Sequence, residues 1–241
     1  MSLERASATG IGAEPPATPG PGIAGPTEDI SPALRLQILS TEHWSLLATR
    51  SLAWNETFSR AGMFLSTLSG AMVALALVAQ ASMFGASFVL FALAILPVVL
   101  FVGVATFVRL GSSNYYDAMC VVGMNRIRGA YLELAPDLER YFVMSAHDDA
   151  KGVAITMGVP PGMRSGLHVI AATPFVISTL NAVIAGVIAS MLGSAVGAGT
   201  LPSLIAGVLA FGATVALQQR YARGYIARVR STIQAAFPTA D

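Results

Sequence analysis

Two long apolar blocks set the pattern of this chain. From Ala61 to Val108 no Lys, Arg, Asp or Glu interrupts the run, and from Ser165 to Gln219 the only titratable side chain is His168. A helix needs about 20 mostly apolar residues to cross a hydrocarbon core about 30 Å thick. Each block is too long for one crossing and long enough for two. The pattern predicts an all-α integral membrane protein, with four transmembrane helices in two hairpins plus cytoplasmic helices. The expected spans are Ala61–Gln80, Ala86–Val108, His168–Met191 and Leu201–Leu217, with tips near Phe84–Ser87 and Gly193–Thr200.

The spans differ in texture. In the first, Gly62, Ser66, Gly70 and Ala74 recur every four residues, a small-residue ridge that lets another helix come close. The second is bulky all round, from Phe88 to Phe107, which suits lipid contact, and Pro97 should kink it. In the third, Ser178, Ala182, Gly186 and Ser190 repeat the small ridge. Leu65-Ser66-Thr67-Leu68 recurs as Ile177-Ser178-Thr179-Leu180, and the same offset carries Gly70 onto Ala182 and Ala74 onto Gly186. The two hairpins therefore read as parallel repeats about an axis along the membrane normal.

Polar positions organise the rest. Residues 1–30 carry Pro and Gly without an apolar run and read as a disordered tail. No charged start followed by an apolar core marks a signal peptide. Ser31-Pro32 is a helix-start signal, and 31–60 reads as an amphipathic cytoplasmic helix. It holds both tryptophans, Trp44 and Trp54, and a Glu56–Arg60 pair one turn apart. Segment 109–167 is a cytoplasmic helical stretch, with a short helix opening at Pro136 and a loop over 146–166. The second hairpin occupies 168–219, and 220–241 is a basic cytoplasmic tail with Arg220, Arg223, Arg228 and Arg230.

Composition and charge sharpen the orientation. Charged residues make up 11% of the chain, against about 25% in soluble domains, and mean hydropathy is +0.66. The net charge of +1 projects no field toward nucleic acid. Every Lys and Arg lies before Ala61, between Arg109 and Arg164, or from Arg220 onward. The positive-inside rule then predicts a multi-pass cell-membrane protein with both termini cytoplasmic. Cys120 is the only cysteine, so no disulfide framework exists.

Candidate chemistry is sparse. Ser66, Thr67, Ser69 and Gly70 on the first span, and Ser178, Thr179, Asn181 and Gly186 on the third, form polar and small bands at similar depth. They are the candidate pore-lining or helix-contact residues. No charged residue lies within a span, which argues against ion-coupled transport and proton relays. His147-Asp148-Asp149 reads as a solvated loop, because adjacent residues cannot face one metal together. Asn125, Arg126, Arg128 and Tyr131 are expected to meet Glu42, Glu56 or Glu133 in a packing surface. No catalytic set, cofactor motif or metal site emerges.

Two segments carry a resemblance. One is Ser45-Leu46-Leu47-Ala48-Thr49-Arg50-Ser51-Leu52-Ala53-Trp54-Asn55-Glu56 with Phe64-Leu65-Ser66-Thr67-Leu68-Ser69-Gly70. The other is Met124-Asn125-Arg126-Ile127-Arg128-Gly129-Ala130-Tyr131-Leu132-Glu133-Leu134-Ala135-Pro136. They are similar to an uncharacterised family of four-span membrane proteins common in actinobacteria, over roughly 40–220. The resemblance implies a topology and no activity. The order cytoplasmic helix, hairpin, cytoplasmic helix also resembles that of SLATT domains, proposed pore-forming effectors, in topology only. The expected partners are the lipid bilayer and a second membrane protein or further copies of the chain. The expected function is a non-catalytic scaffold or subunit of a membrane assembly. The alternative is an oligomeric pore for small ions lined by the first or third span.

Overall fold

A computed structural model describes residues 30–158, 173–232 and 234–239. The tail expected over 1–30, apart from Ile30, lies outside the described residues. So do the expected start of the third span at His168 and the end of the 146–166 loop. All regular structure among the described residues is helical.

Helix α1 (Pro32–Ser82) begins as its sequence dictates. Pro32 sits in the first turn and the Ser31 hydroxyl accepts the Leu34 N–H at 3.3 Å. The helix runs 51 residues, about 77 Å at 1.5 Å per residue. Met83 and Phe84 take left-handed backbone angles, φ 50° and 59°. The Met83 N–H closes on the Ala79 carbonyl, and the chain reverses at once into α2 (Ala86–Leu134). That helix spans 49 residues and passes through Pro97 without a break.

A 3₁₀ turn (Pro136–Tyr141) follows, where a short helix was expected. Helix α3 (Ala150–Thr156) then stands inside the stretch expected to be loop. Its start is set by Asp149, whose carboxylate accepts the Gly152 N–H at 2.7 Å and supplies an N-cap. Helices α4 (Thr173–Ala195) and α5 (Thr200–Thr232) pack on each other and are joined by a turn at Gly197 with φ 81°. Four helices, α1, α2, α4 and α5, are long and apolar enough to cross a membrane.

α2 is the hub. α1 packs along one side of it and α4 along another, and α4 pairs with α5. The core joins Phe64 of α1, Leu96, Val99, Phe107 and Leu110 of α2, and Ile177 and Ile184 of α4. This reverses the expected roles of the first two helices. The bulky helix buries a stripe at three- and four-residue spacing, Ala92, Leu96, Val99, Gly103, Phe107 and Leu110. The small ridge of α1 faces outward: Gly62, Ser66 and Gly70 are exposed, and a Cβ at either glycine would meet nothing within 4 Å. α1 turns Phe64, Leu68, Ala71 and Leu75 toward α2 instead. Larger side chains fill the groove of α2 and gain more dispersion contact than a row of glycine and serine.

The ridge of the third span is used for close approach. At Gly186 a Cβ would lie 2.9 Å from the Gly207 carbonyl oxygen, and the converse distance is the same. Only glycine lets α4 and α5 touch there. The residues matched by the sequence repeat therefore sit in unlike places. Ser66 and Gly70 are exposed, while Ser178 and Ala182 are buried.

Candidate functional site

The two polar bands do not converge, because α2 runs between α1 and α4. Ser66, Thr67, Ser69 and Gly70 all face out of the bundle, and the Thr67 hydroxyl donates to the Met63 carbonyl of its own helix at 2.9 Å. Ser178 and Asn181 point into the core. Thr179 is half-buried and donates to the Phe175 carbonyl at 3.0 Å. Gly186 is committed to Gly207.

Asn181 is the unusual member. It is completely buried, and neither its Nδ2 nor its Oδ1 has a hydrogen-bond partner. It lies over Gly103 of α2. A Cβ there would overlap Asn181 Oδ1 outright and come 2.6 Å from Phe64 Cε2. Three helices thus meet at one point: α1 through Phe64, α2 through Gly103 and α4 through Asn181. An unsatisfied buried amide costs about 1–3 kcal/mol, so this contact is a place where fold stability is given up.

Beyond their apolar halves, α1 and α2 continue side by side as a two-helix stalk. Asp117 is buried within it. Its Oδ1 accepts Arg50 Nε at 2.6 Å and Trp54 Nε1 at 3.0 Å. Glu56 accepts from Arg60 at 2.8 Å and from Arg109 at 2.9 Å, closing the end of the stalk nearest the apolar part. These donors, Arg60 first and Arg109 second, hold the Glu56 carboxyl below the usual range. His43 stacks on Tyr131, centroids 6.1 Å apart. Burial, aided by the Arg128 charge, depresses its pKa. Cys120 is buried, and burial raises its thiol pKa, with the Asp117 carboxylate adding to the rise. It is an inert core thiol.

The expected pairing of Arg126 and Arg128 with Glu42, Glu56 or Glu133 is replaced by a different network. Arg126 Nε donates to Asp148 Oδ2 at 2.8 Å, and Arg128 Nη1 to Asn125 Oδ1 at 2.8 Å. Asn125 is fully buried, accepts the Thr156 hydroxyl at 2.9 Å and donates to the His147 carbonyl at 2.8 Å.

Asp148, expected in a solvated loop, is itself fully buried. It forms the seat for the carboxyl-terminal strap, residues 234–239. Its two oxygens accept the Ala236 N–H at 2.9 Å and the Phe237 N–H at 2.8 Å. Its own N–H donates to the Phe237 carbonyl at 3.2 Å, while Arg126 Nη2 donates to the Gln234 carbonyl at 2.8 Å. Asp149 accepts the Thr239 N–H at 2.9 Å. The Phe237 ring covers Gly129, where a Cβ would lie 2.7 Å from Cγ. Burial pushes the Asp148 pKa up, but the two N–H groups and the guanidinium outweigh it and hold the carboxyl below its ordinary value. At Asp149 the Gly152 N–H is the main cause of a lowered pKa.

Sequence reasoning missed Asp117 and this seat. Asp117 was findable, since it continues the buried stripe of α2 through Leu110 and Ser113 toward Cys120 and Met124. The seat joins residues far apart in sequence through main-chain groups, which leave no side-chain pattern.

Between α2, α3, α5 and the strap lies a cavity of about 760 Å³. Among the described residues no three His, Cys, Asp or Glu side chains are grouped to hold a metal ion. What these features define is an all-helical protein with four apolar helices and a polar, internally cross-linked extension. Comparison with protein-family models, curated proteins and solved structures gives no match.

Proposed function

We propose that this chain is a multi-pass cell-membrane protein, both termini cytoplasmic, that acts as a non-catalytic scaffold or subunit of a membrane assembly. The observation that carries this reading is the stalk. α1 and α2 leave their apolar halves without a break and run on together for about 40 Å, counting 1.5 Å per residue. Ion pairs and the Asp117 anchor hold the pair rigid. Apolar side chains still face outward along it, with Trp44 71% and Leu52 70% exposed. Exposed apolar residues on a rigid polar helix pair suit protein contact. The test is a photo-crosslinking residue at Trp44 or Leu52 in native membranes. A second protein at fixed stoichiometry supports the scaffold, and a lone homo-oligomer overturns it.

A second reading rests on the outward band of α1. Ser66, Thr67, Ser69 and Gly70 line one exposed face at helical spacing, and copies of the chain joined there would enclose a polar, uncharged path. This is the pore reading. Ion flux from liposomes holding the purified chain tests it. Flux no higher than from empty liposomes, across voltage and pH, removes it.

A further inference from the structure

The 760 Å³ cavity lies within the size range of small-molecule sites, and its described walls are chemically one-sided. Four aromatic rings form a continuous chain along it. Phe107 and Tyr221 have centroids 6.1 Å apart, Tyr221 and Tyr225 5.7 Å, and Tyr225 and Tyr115 5.9 Å. The Tyr225 hydroxyl is tied to Ser112 Oγ at 3.2 Å, which fixes that ring. Asp149 contributes the charge on the wall, since the Asp148 carboxylate is fully buried beneath the strap, and no Lys or Arg is among the described lining residues. Arg126 offsets the charge of Asp148 from outside the cavity. Asp149 is held by the N–H groups of Gly152 and Thr239, dipoles that leave its charge to act across the space.

Each class of ligand meets these walls differently. An anion faces the Asp149 carboxylate. A neutral apolar molecule gains burial but nothing from the charge. A hydrated metal ion makes no use of the rings. An organic ammonium ion with an apolar body uses every wall: aromatic faces attract cations, the Asp149 carboxylate adds field, and Val153, Ala154 and Met157 take the apolar part. We propose that this cavity binds such an ammonium ion, with the carboxyl-terminal strap closing one side through Ala235. The site stands independently of whether the protein is a scaffold or a pore. The same chemistry comes from a lipid headgroup or from a free amphipathic amine.

The test uses the purified full chain in a non-ionic detergent and radiolabelled tetraphenylphosphonium in equilibrium dialysis, with tetraphenylborate as an anion of the same shape. Saturable binding of the cation near one per chain is expected, without matching binding of the anion. Tyr221→Leu and Tyr225→Leu each weaken it by about tenfold or more, while Tyr221→Phe and Tyr225→Phe, which keep the aromatic face, change it by no more than about threefold. Leu201→Ala, at the other end of α5 and about 30 Å from Tyr221 at 1.5 Å per residue, leaves it unchanged. Displacement by short-chain phosphatidylcholine but not by phosphatidylglycerol of equal chain length assigns a lipid source. Displacement by dodecyltrimethylammonium alone assigns a free amine. Non-saturable uptake, equal binding of cation and anion, equal displacement by phosphatidylglycerol, or indifference to both Tyr→Leu changes overturns the proposal.

Discussion

Asp148→Asn isolates the force that docks the strap. The side chain is fully buried and accepts two main-chain N–H groups and one guanidinium N–H. A hydrogen bond to a charged group contributes about 1.5–3 kcal/mol. The Arg126 side chain is 45% exposed, so solvent screens the ion pair and its share is small. The two N–H groups therefore dominate. Asparagine keeps one carbonyl oxygen and turns an NH₂ toward a donor, so it loses one of these bonds outright and the charge on the other. The loss is about 3 kcal/mol, or roughly a hundredfold in the ratio of docked to released strap.

Hydrogen exchange read by mass spectrometry on the 234–239 peptide measures that ratio directly. In the wild-type chain the Ala236 and Phe237 amides should be protected. In Asp148→Asn they should exchange roughly a hundredfold faster, with α2 and α4 unchanged. Gly129→Ala reaches the same end without touching charge, because the new methyl collides with the Phe237 ring. The pH dependence has a fixed sign. The folded pKa of Asp148 lies below its unfolded value, near 3.9. Its contribution is complete above that value and is lost only as pH falls through the depressed folded one. Strap protection should then be flat from pH 7 to 5, apart from the intrinsic change in exchange rate. Unchanged protection in both variants would falsify the seat.

Gly103→Ala should destabilise the bundle by about 1–3 kcal/mol through overpacking, read as a lower unfolding temperature in detergent; adding Asn181→Ala should recover part of it, since Asn181 Oδ1 is the nearest obstacle and the Phe64 ring the next. Asn181→Leu should be neutral or stabilise by up to about 1.5 kcal/mol, because it removes an amide with no partner, and a clear loss of stability would show that the amide is satisfied. His43 has a folded pKa below its unfolded value of about 6.5. The unfolded chain takes up the proton first, so stability should fall as pH drops below about 6.5. His43→Phe should flatten that part of the stability profile, and an unchanged slope would count against the assignment.

What was legible in the sequence follows from how each feature is encoded. The apolar blocks, the Ser31 cap, both turns and the Glu56–Arg60 pair are local, and each appears where its residues dictate. The choice of buried face was not legible. The ridge of Gly62, Ser66 and Gly70 and the stripe of Phe64, Leu68, Ala71 and Leu75 lie on one helix, and both are valid packing surfaces. α2 decides between them by offering a groove that large side chains fill. The 146–166 stretch misled for a related reason. Its Gly and Pro residues signal a loop, but Asp149 and Gly152 nucleate α3 inside it. α3 is then held against the stalk by Thr156 on Asn125, a contact across 31 positions that no local pattern announces.

The distribution of polar contacts bears on function. In the apolar helices the hydroxyls of Thr67, Thr106, Thr179 and Thr214 are each spent on a carbonyl one turn back in the same helix, and the buried amide of Asn181 has no partner. None of these joins one helix to another. Among the described residues, polar contacts between elements lie elsewhere: Arg50 and Trp54 on Asp117, Arg109 on Glu56, Tyr225 on Ser112, Asn125 with Thr156 and His147, and Asp148 and Asp149 on the strap. A protein that works through a polar path inside its own four helices would carry aligned hydrogen-bonding groups there. This one concentrates its specific contacts in the stalk and around the strap. On the scaffold reading proposed above, changes to the stalk and the strap seat, rather than to the apolar interior, should alter assembly.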